Sequence, residues 1–314
     1  MREMTPPRLG GSITALATPF RDGRVDEPAV VRMIERQIAR GTTALVVSGS
    51  TGEAAMLSLS EHARLVRLVA AVTHGRVPLI AGCTASATEV ACGLAVAAAR
   101  GGADALLLAP PPYVKPTQAG IVCHVRKVAT TADLPVVLYD VPSRTGVAIA
   151  DATVAALHAL GIIVALKDAT GDLARPARLR ALCGPGLCQL TGEDALAAGH
   201  RKMGGDGCIS VTANVTPALC AQLHQSWTEG DLDSVSALSH LLAPLHAALF
   251  HESNPIPLKA ALASLSLCAE TVRAPLTPAS EATRSALRSA LADVMAQEDE
   301  LSRARPTPRL RLVG

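Results

Sequence analysis

The chain predicts an α/β fold, a (β/α)8 TIM barrel with a C-terminal helical appendage. Three observations carry this. Apolar runs alternate with helical patterns at a spacing of roughly 20–35 residues, in line with a strand–helix unit of about 30. Several of these runs are short, continuous and aliphatic, as strands buried on both faces should be. Eight such units follow one another without a second nucleotide-type half, which favours a closed barrel over its competitor, a doubly wound sheet.

The strand candidates begin near Ile13, Ala44, Pro78, Ala105, Val136, Ile162, Cys188 and Cys208. The helices between them have readable starts. Asp26-Glu27-Pro28 opens one, with proline in the first turn. Ser60-Glu61 opens the next, and Ser86-Ala87-Thr88-Glu89 has the spacing of a capping box. Gly41, Gly75 and Gly101-Gly102 are helix stops. This places an N-terminal extension at 1–11 and the barrel at 12–225. Asp231 to Phe250 and Pro257 to Glu300 read as amphipathic helices of a C-terminal helical domain, 226–301. Residues 302–314, rich in arginine and proline, read as a flexible basic tail.

Composition narrows the class. Of 314 residues, 49% are apolar and 18% charged, enough to bury a large core. A net charge of +2 gives no footprint for nucleic acid or an anionic membrane. The eight cysteines form no Cys-x-x-Cys pair and read as buried reduced thiols. Residues 1–11 contain no apolar signal region, and no run reaches the ~18 apolar residues of a membrane span. A soluble cytoplasmic protein is the expectation. No Gly-x-Gly-x-x-Gly, phosphate-loop lysine motif or His-Glu-x-x-His occurs, and the nine histidines are scattered, so neither cofactor nor metal is expected.

In a barrel the chemistry sits at the C-terminal ends of the strands. After the second strand comes Ser48-Gly49-Ser50-Thr51-Gly52-Glu53, whose backbone N–H groups suit an anion and whose hydroxyls can pass a proton. Taken alone, this is equally an ordinary polar turn. Tyr113 and Tyr139, the only tyrosines in a chain with 2% aromatic residues, follow strands four and five. A strand-end phenol is a rigid proton relay. Strand six ends in Lys167. A lysine amine, with an ordinary pKa of about 10.4, is protonated at neutral pH, and burial disfavours that charge. Once neutral, such an amine attacks a ketone to form a Schiff base. The plain alternative is an ion pair with a neighbour such as Asp168. Arg144 lies in a rigid turn, Pro142-Ser143-Arg144-Thr145-Gly146, and its planar guanidinium suits a carboxylate, although a lone arginine is more often a surface residue.

At these residues the chain resembles the dihydrodipicolinate synthase family of pyruvate-dependent, Schiff-base lyases, from about Gly11 to Leu276. The motifs are Gly49-Ser50-Thr51-Gly52-Glu53, Leu138-Tyr139-Asp140-Val141-Pro142-Ser143-Arg144-Thr145-Gly146, Leu166-Lys167-Asp168-Ala169-Thr170-Gly171, Ile209-Ser210-Val211-Thr212-Ala213-Asn214 and Asn254-Pro255-Ile256-Pro257. The resemblance implies that Lys167 forms an imine with pyruvate while Tyr139 shuttles protons over it. The relay would run through Ser50 to Tyr113, which in the family enters from the neighbouring subunit of a homodimer or homotetramer. Ser50 and Thr51 would hold the pyruvate carboxylate through their N–H groups, with Gly192 and Ile209 lining the pocket. Arg144 would bind the carboxylate of aspartate semialdehyde, and the product would be 4-hydroxy-tetrahydrodipicolinate, on the way to diaminopimelate and lysine.

The chain departs from the family pattern in two informative places. Ser50 stands where the family commonly has threonine, so the hydroxyl survives without the β-branch that fixes its rotamer. In lysine-inhibited members the effector pocket uses histidine, asparagine, glutamate and a second tyrosine. Here the corresponding positions read Leu59, Ser86, Val90 and Pro112, with His62 retained, which implies weak feedback. Asp140 also replaces the common asparagine. Two rival readings stand beside the synthase. One is another pyruvate-dependent aldolase or dehydratase acting on a sugar-derived or aromatic keto acid. The other is a catalytically idle paralogue that binds a keto acid.

Overall fold

A computed structural model describes residues 9–304. The strands, in chain order, are β1 (Gly11–Ala15), β2 (Phe20–Arg21), β3 (Arg24–Val25), β4 (Ala44–Val47), β5 (Leu79–Gly82), β6 (Ala105–Leu108), β7 (Val136–Asp140), β8 (Ile163–Asp168), β9 (Cys188–Thr191) and β10 (Gly207–Ser210). The helices are α1 (Glu27–Ala39), α2 (Leu59–Thr73), α3 (Thr88–Gly101), α4 (Gln118–Ala132), α5 (Pro142–Thr145), α6 (Asp151–Ala159), α7 (Arg175–Cys183), α8 (Ala197–Lys202), α9 (Pro217–Glu229), α10 (Leu232–Ala248), α11 (Ile256–Ser264) and α12 (Glu281–Ala304). Strands β1 and β4 to β10 close into a parallel barrel, with β1 pairing both β10 and β4. The short β2–β3 hairpin lies outside it.

All eight barrel strands lie within two residues of where their aliphatic runs begin. Alternation along each strand splits the core in two. Ile13, Val46, Ile80, Leu107, Val137, Ala165, Leu190 and Ile209 fill the barrel. Leu45, Leu79, Leu106, Leu138 and Leu166 join the core packed with the helices.

The helix starts are less well read. Asp26 does cap α1, accepting from Ala29 N at 3.2 Å. Helix α2 begins before Ser60, because Ser58 and Glu61 form the capping box. The capping box expected at Ser86 does not form, because the Ser86 hydroxyl donates to the Pro112 carbonyl at 3.1 Å.

Three domain boundaries also need correction. Gly11 opens β1 and pairs with Gly207, so it belongs to the barrel, while residues 1–8 of the expected extension lie outside the described residues. The 225/226 boundary falls inside α9, which runs to Glu229. Helix α12 continues through residues 302–304, and the rest of the expected tail, 305–314, lies outside the described residues.

Helix α12 is locked to the barrel. Glu298, fully buried, accepts from Ala218 N (3.2 Å) and Leu219 N (3.0 Å) at the start of α9, and from Arg40 Nη1 (2.9 Å). These backbone donors have no intrahelical partner, so the carboxylate caps α9 from a distant helix.

Five histidines, His62, His124, His200, His224 and His246, are buried, and burial pushes the pKa of each down. His224 is pushed to about 4. The unfolded chain takes up these protons from about pH 6.5 downward, whereas the fold keeps the rings neutral. Stability is therefore lost as pH falls below that point, and His224 alone accounts for on the order of 3 kcal/mol by the bottom of its window. Burial raises the Asp140 and Glu298 carboxyls, which offsets part of the loss. Thermal unfolding followed from pH 7.5 to pH 5 should show a marked fall in Tm; a flat profile would contradict this.

Candidate active site

A cavity of about 310 Å³ opens at the C-terminal ends of the strands. Ser50 and Glu53 from the turn after β4, Tyr139 from β7, Arg144 from α5 and Asn254 from the segment before α11 line it, among others. Of the predicted residues, Ser50, Tyr139 and Arg144 line it, whereas Thr51, Lys167, Gly192, Ile209 and Tyr113 are not among its lining residues.

Tyr139 and Lys167 are register partners on β7 and β8. Both are buried, and the lysine Nζ lies 4.3 Å from the centre of the tyrosine ring. The expected competitor for the lysine, Asp168, is engaged elsewhere. Its Oδ1 accepts from Thr170 N (2.8 Å) and Thr170 Oγ1 (2.7 Å), and its Oδ2 lies 3.3 Å from Arg175 Nη1. Asp140, opposite Asp168 in register, takes the same guanidinium nitrogen at 2.7 Å. Two carboxylates side by side on neighbouring strands repel, and the buried Arg175 bridges them and so relieves that repulsion behind the Tyr139–Lys167 pair. Burial pushes the Asp140 carboxyl up, and Arg175 opposes that shift.

Gly192 directly follows β9, the neighbouring strand, and sets the room around the lysine. A Cβ there would lie 2.8 Å from Lys167 Cε and 3.2 Å from the Ala169 Cβ. Gly192→Ala is expected to push the amine aside and, if Lys167 forms the imine that the resemblance implies, to slow that step by about a hundredfold, the cost of an ångström-scale misplacement. The rate of borohydride-trapped adduct measures this, with an unchanged Tm excluding general damage. The next residue, Glu193, has a carboxyl raised first by burial and then by Asp194, with the charge of Lys167 opposing. Ile209 is fully buried in the barrel interior, in the cluster that includes Tyr139.

The turn that carries Ser50 and Thr51 is fastened from below. Gly82 lets β5 pass beneath it, since a Cβ there would sit 1.9 Å from the Ser48 carbonyl oxygen. Thr51 is buried, and its Oγ1 accepts from Asn254 Nδ2 at 2.9 Å. The Asn254 carbonyl in turn accepts from Arg144 Nη2 at 3.0 Å. One residue thereby links the turn to the guanidinium across the cavity.

Tyr113 does not enter the cavity of its own chain. It is 92% exposed with φ +75°, just past Pro112, which does line the cavity.

A model of the dihydrodipicolinate synthetase family matches residues 8–294. The chain belongs to that family. A 4-hydroxy-tetrahydrodipicolinate synthase of Rhodospirillum centenum is 49% identical over 281 residues, covering 90% of this chain and 97% of the relative. The crystal structure of a chloride-inhibited dihydrodipicolinate synthase from Acinetobacter baumannii, in complex with pyruvate, superposes with a TM-score of 0.88 at 40% identity, covering 92% of this chain and 99% of that one. A monomeric dihydrodipicolinate synthase variant matches with a TM-score of 0.88 at 35% identity, covering 91% and 96%.

Reasoning from the family's motifs alone misses Arg175, Lys259 and Arg273, and leaves Glu53, which closes one of those motifs, without a role. The signal for one of them is in the sequence: Lys259 is a lone charge within Ile256-Pro257-Leu258-Lys259-Ala260-Ala261-Leu262, an apolar stretch that calls for a buried partner.

Proposed function

We propose that the chain condenses pyruvate with aspartate semialdehyde through an imine on Lys167. The observation that carries this reading is a buried lysine against a buried tyrosine, with the neighbouring aspartate already satisfied by Arg175 and Thr170. The Lys167 amine attacks the pyruvate ketone, and loss of water gives the imine. The N–H groups of the Ser50–Thr51 turn hold the carboxylate, and Tyr139 moves protons at the imine. Loss of a methyl proton gives the enamine, whose carbon bonds to the aldehyde carbon while the aldehyde oxygen takes up a proton. The amino group of the aldehyde substrate then attacks the imine carbon, which closes the ring and releases the lysine. The product is 4-hydroxy-tetrahydrodipicolinate, and Arg144 holds the carboxylate of the aldehyde substrate at the cavity mouth.

The same reading makes Tyr113 the far end of a proton relay in a second copy of the chain. Its exposure and its left-handed backbone hold the phenol away from its own cavity, in keeping with such a role. A coupled assay with pyruvate and aspartate semialdehyde, with borohydride trapping as control, tests the activity. Turnover only of another aldehyde would replace the substrate assignment.

Weak feedback by lysine belongs to this reading. Leu59 and Val90 offer apolar side chains that are 54% and 56% exposed. His62 is buried, with Nε2 3.0 Å from the Gly82 carbonyl oxygen, and the Ser86 hydroxyl is spent on Pro112. A zwitterion placed there would leave its charges unpaired at a cost of roughly 1–3 kcal/mol each. Initial rates should hold as lysine is raised; half-inhibition at sub-millimolar lysine would contradict this.

A further inference from the structure

Two non-glycine residues bracket the turn after β4 in the left-handed region, Ser48 at φ +51° and Glu53 at φ +56°. L side chains stay in that region only where their surroundings hold them. What holds Glu53 comes from the far end of the chain. Its Oε1 lies 3.0 Å from Lys259 Nζ, with both side chains fully buried. Its Oε2 accepts from Arg273 N at 2.8 Å. Lys259 also donates to the Thr271 carbonyl at 2.9 Å. The Phe20 ring packs under both cations, 4.5 Å from Lys259 Nζ and 4.3 Å from the Arg273 guanidinium. Arg273 Nη1 then reaches the Met56 carbonyl at 2.8 Å, on the cavity wall.

A fully buried ion pair adds little net stability, because desolvating both charges offsets their attraction. Burial accordingly pushes the pKa of Lys259 down, against the pull of Glu53. A costly pair beneath a pocket wall needs another reason to be there. Glu53 itself is among the residues around the cavity, while its carboxylate, fully buried, turns away to Lys259 and Arg273, so the pair sets where the end of the turn sits.

We infer that Lys259 is a positioning residue: it anchors and neutralises Glu53 so that the Ser50–Thr51 turn keeps the shape that receives a keto-acid carboxylate. This rests on the keto-acid reading above. It makes the helical segment after the barrel part of the substrate site.

The test uses the full chain, graded pyruvate, borohydride reduction and intact-mass detection of the adduct, with thermal unfolding in parallel. Lys259→Met should raise half-saturating pyruvate about tenfold or more, equivalent to ~1.4 kcal/mol, while adduct formation at saturation stays complete. Glu53→Gln combined with Lys259→Met removes both buried charges. It should recover much of the Tm lost by the single variant and still need several times more pyruvate than wild type. If half-saturation returns to wild type together with Tm, the pair serves stability alone and the inference is overturned. Should Lys259→Met fail to fold, the double variant carries the test by itself. A wild-type chain that forms no pyruvate adduct counts against the keto-acid reading. A wild-type adduct with unchanged half-saturation in the variants counts against Lys259 alone.

Discussion

Lys167→Met is expected to abolish the borohydride-trapped pyruvate adduct and to lower turnover by roughly 10⁴-fold or more, as loss of a covalent nucleophile does. Methionine keeps the length and apolar stem of the side chain, so the packing against Tyr139 and Gly192 is largely preserved. The ion network behind the strand does not involve the lysine, because Asp168 is satisfied by Thr170 and Arg175. The variant should therefore fold with a Tm close to wild type. This separates a chemical role from a structural one. A Lys167→Met protein that still accumulates a reduced adduct, or that keeps a tenth of its turnover, would remove the imine from the mechanism.

Arg144→Ala should act on the second substrate alone. Its guanidinium reaches the cavity with one N–H already committed to the Asn254 carbonyl. The remaining donors are available for a carboxylate, and a charge-assisted contact of about 3 kcal/mol corresponds to roughly a hundredfold. The expected loss is therefore about a hundredfold in kcat/KM for aspartate semialdehyde, with pyruvate trapping intact. Equal losses in both measurements would move Arg144 to the first half-reaction. Arg144→Lys should recover little, because an ammonium cannot reproduce the planar fork.

Most of the barrel was legible because its strands are buried on both faces and so read as unbroken aliphatic runs. The hairpin β2–β3 escaped because strands of two residues leave no pattern. Helix starts were misread where a side chain preferred a remote partner, as when Ser86 turned to Pro112. Lys167 and Tyr139 were legible because each ends an apolar strand, and register then fixes their neighbourhood. The supports beneath them were not. Glu53 meets Lys259 and Arg273, and Glu298 meets Ala218 and Leu219, only after the chain has closed on itself. Nothing local marks such pairs, apart from the oddity of a single charge inside an apolar helix.

The late position of those supports bears on how the protein is made. A ribosome that has just synthesised α9 has delivered all eight strands, the lysine and the tyrosine. It has not yet delivered Asn254, Lys259, Arg273 or Leu276, which fasten or wall the mouth of the cavity. On the proposed reading, the substrate entrance is finished only once residues 254–276 have been made, well after the strands that carry Lys167 and Tyr139. A message truncated after α9 would yield a chain that has Lys167 and Tyr139 but lacks the residues that fasten and wall the cavity mouth.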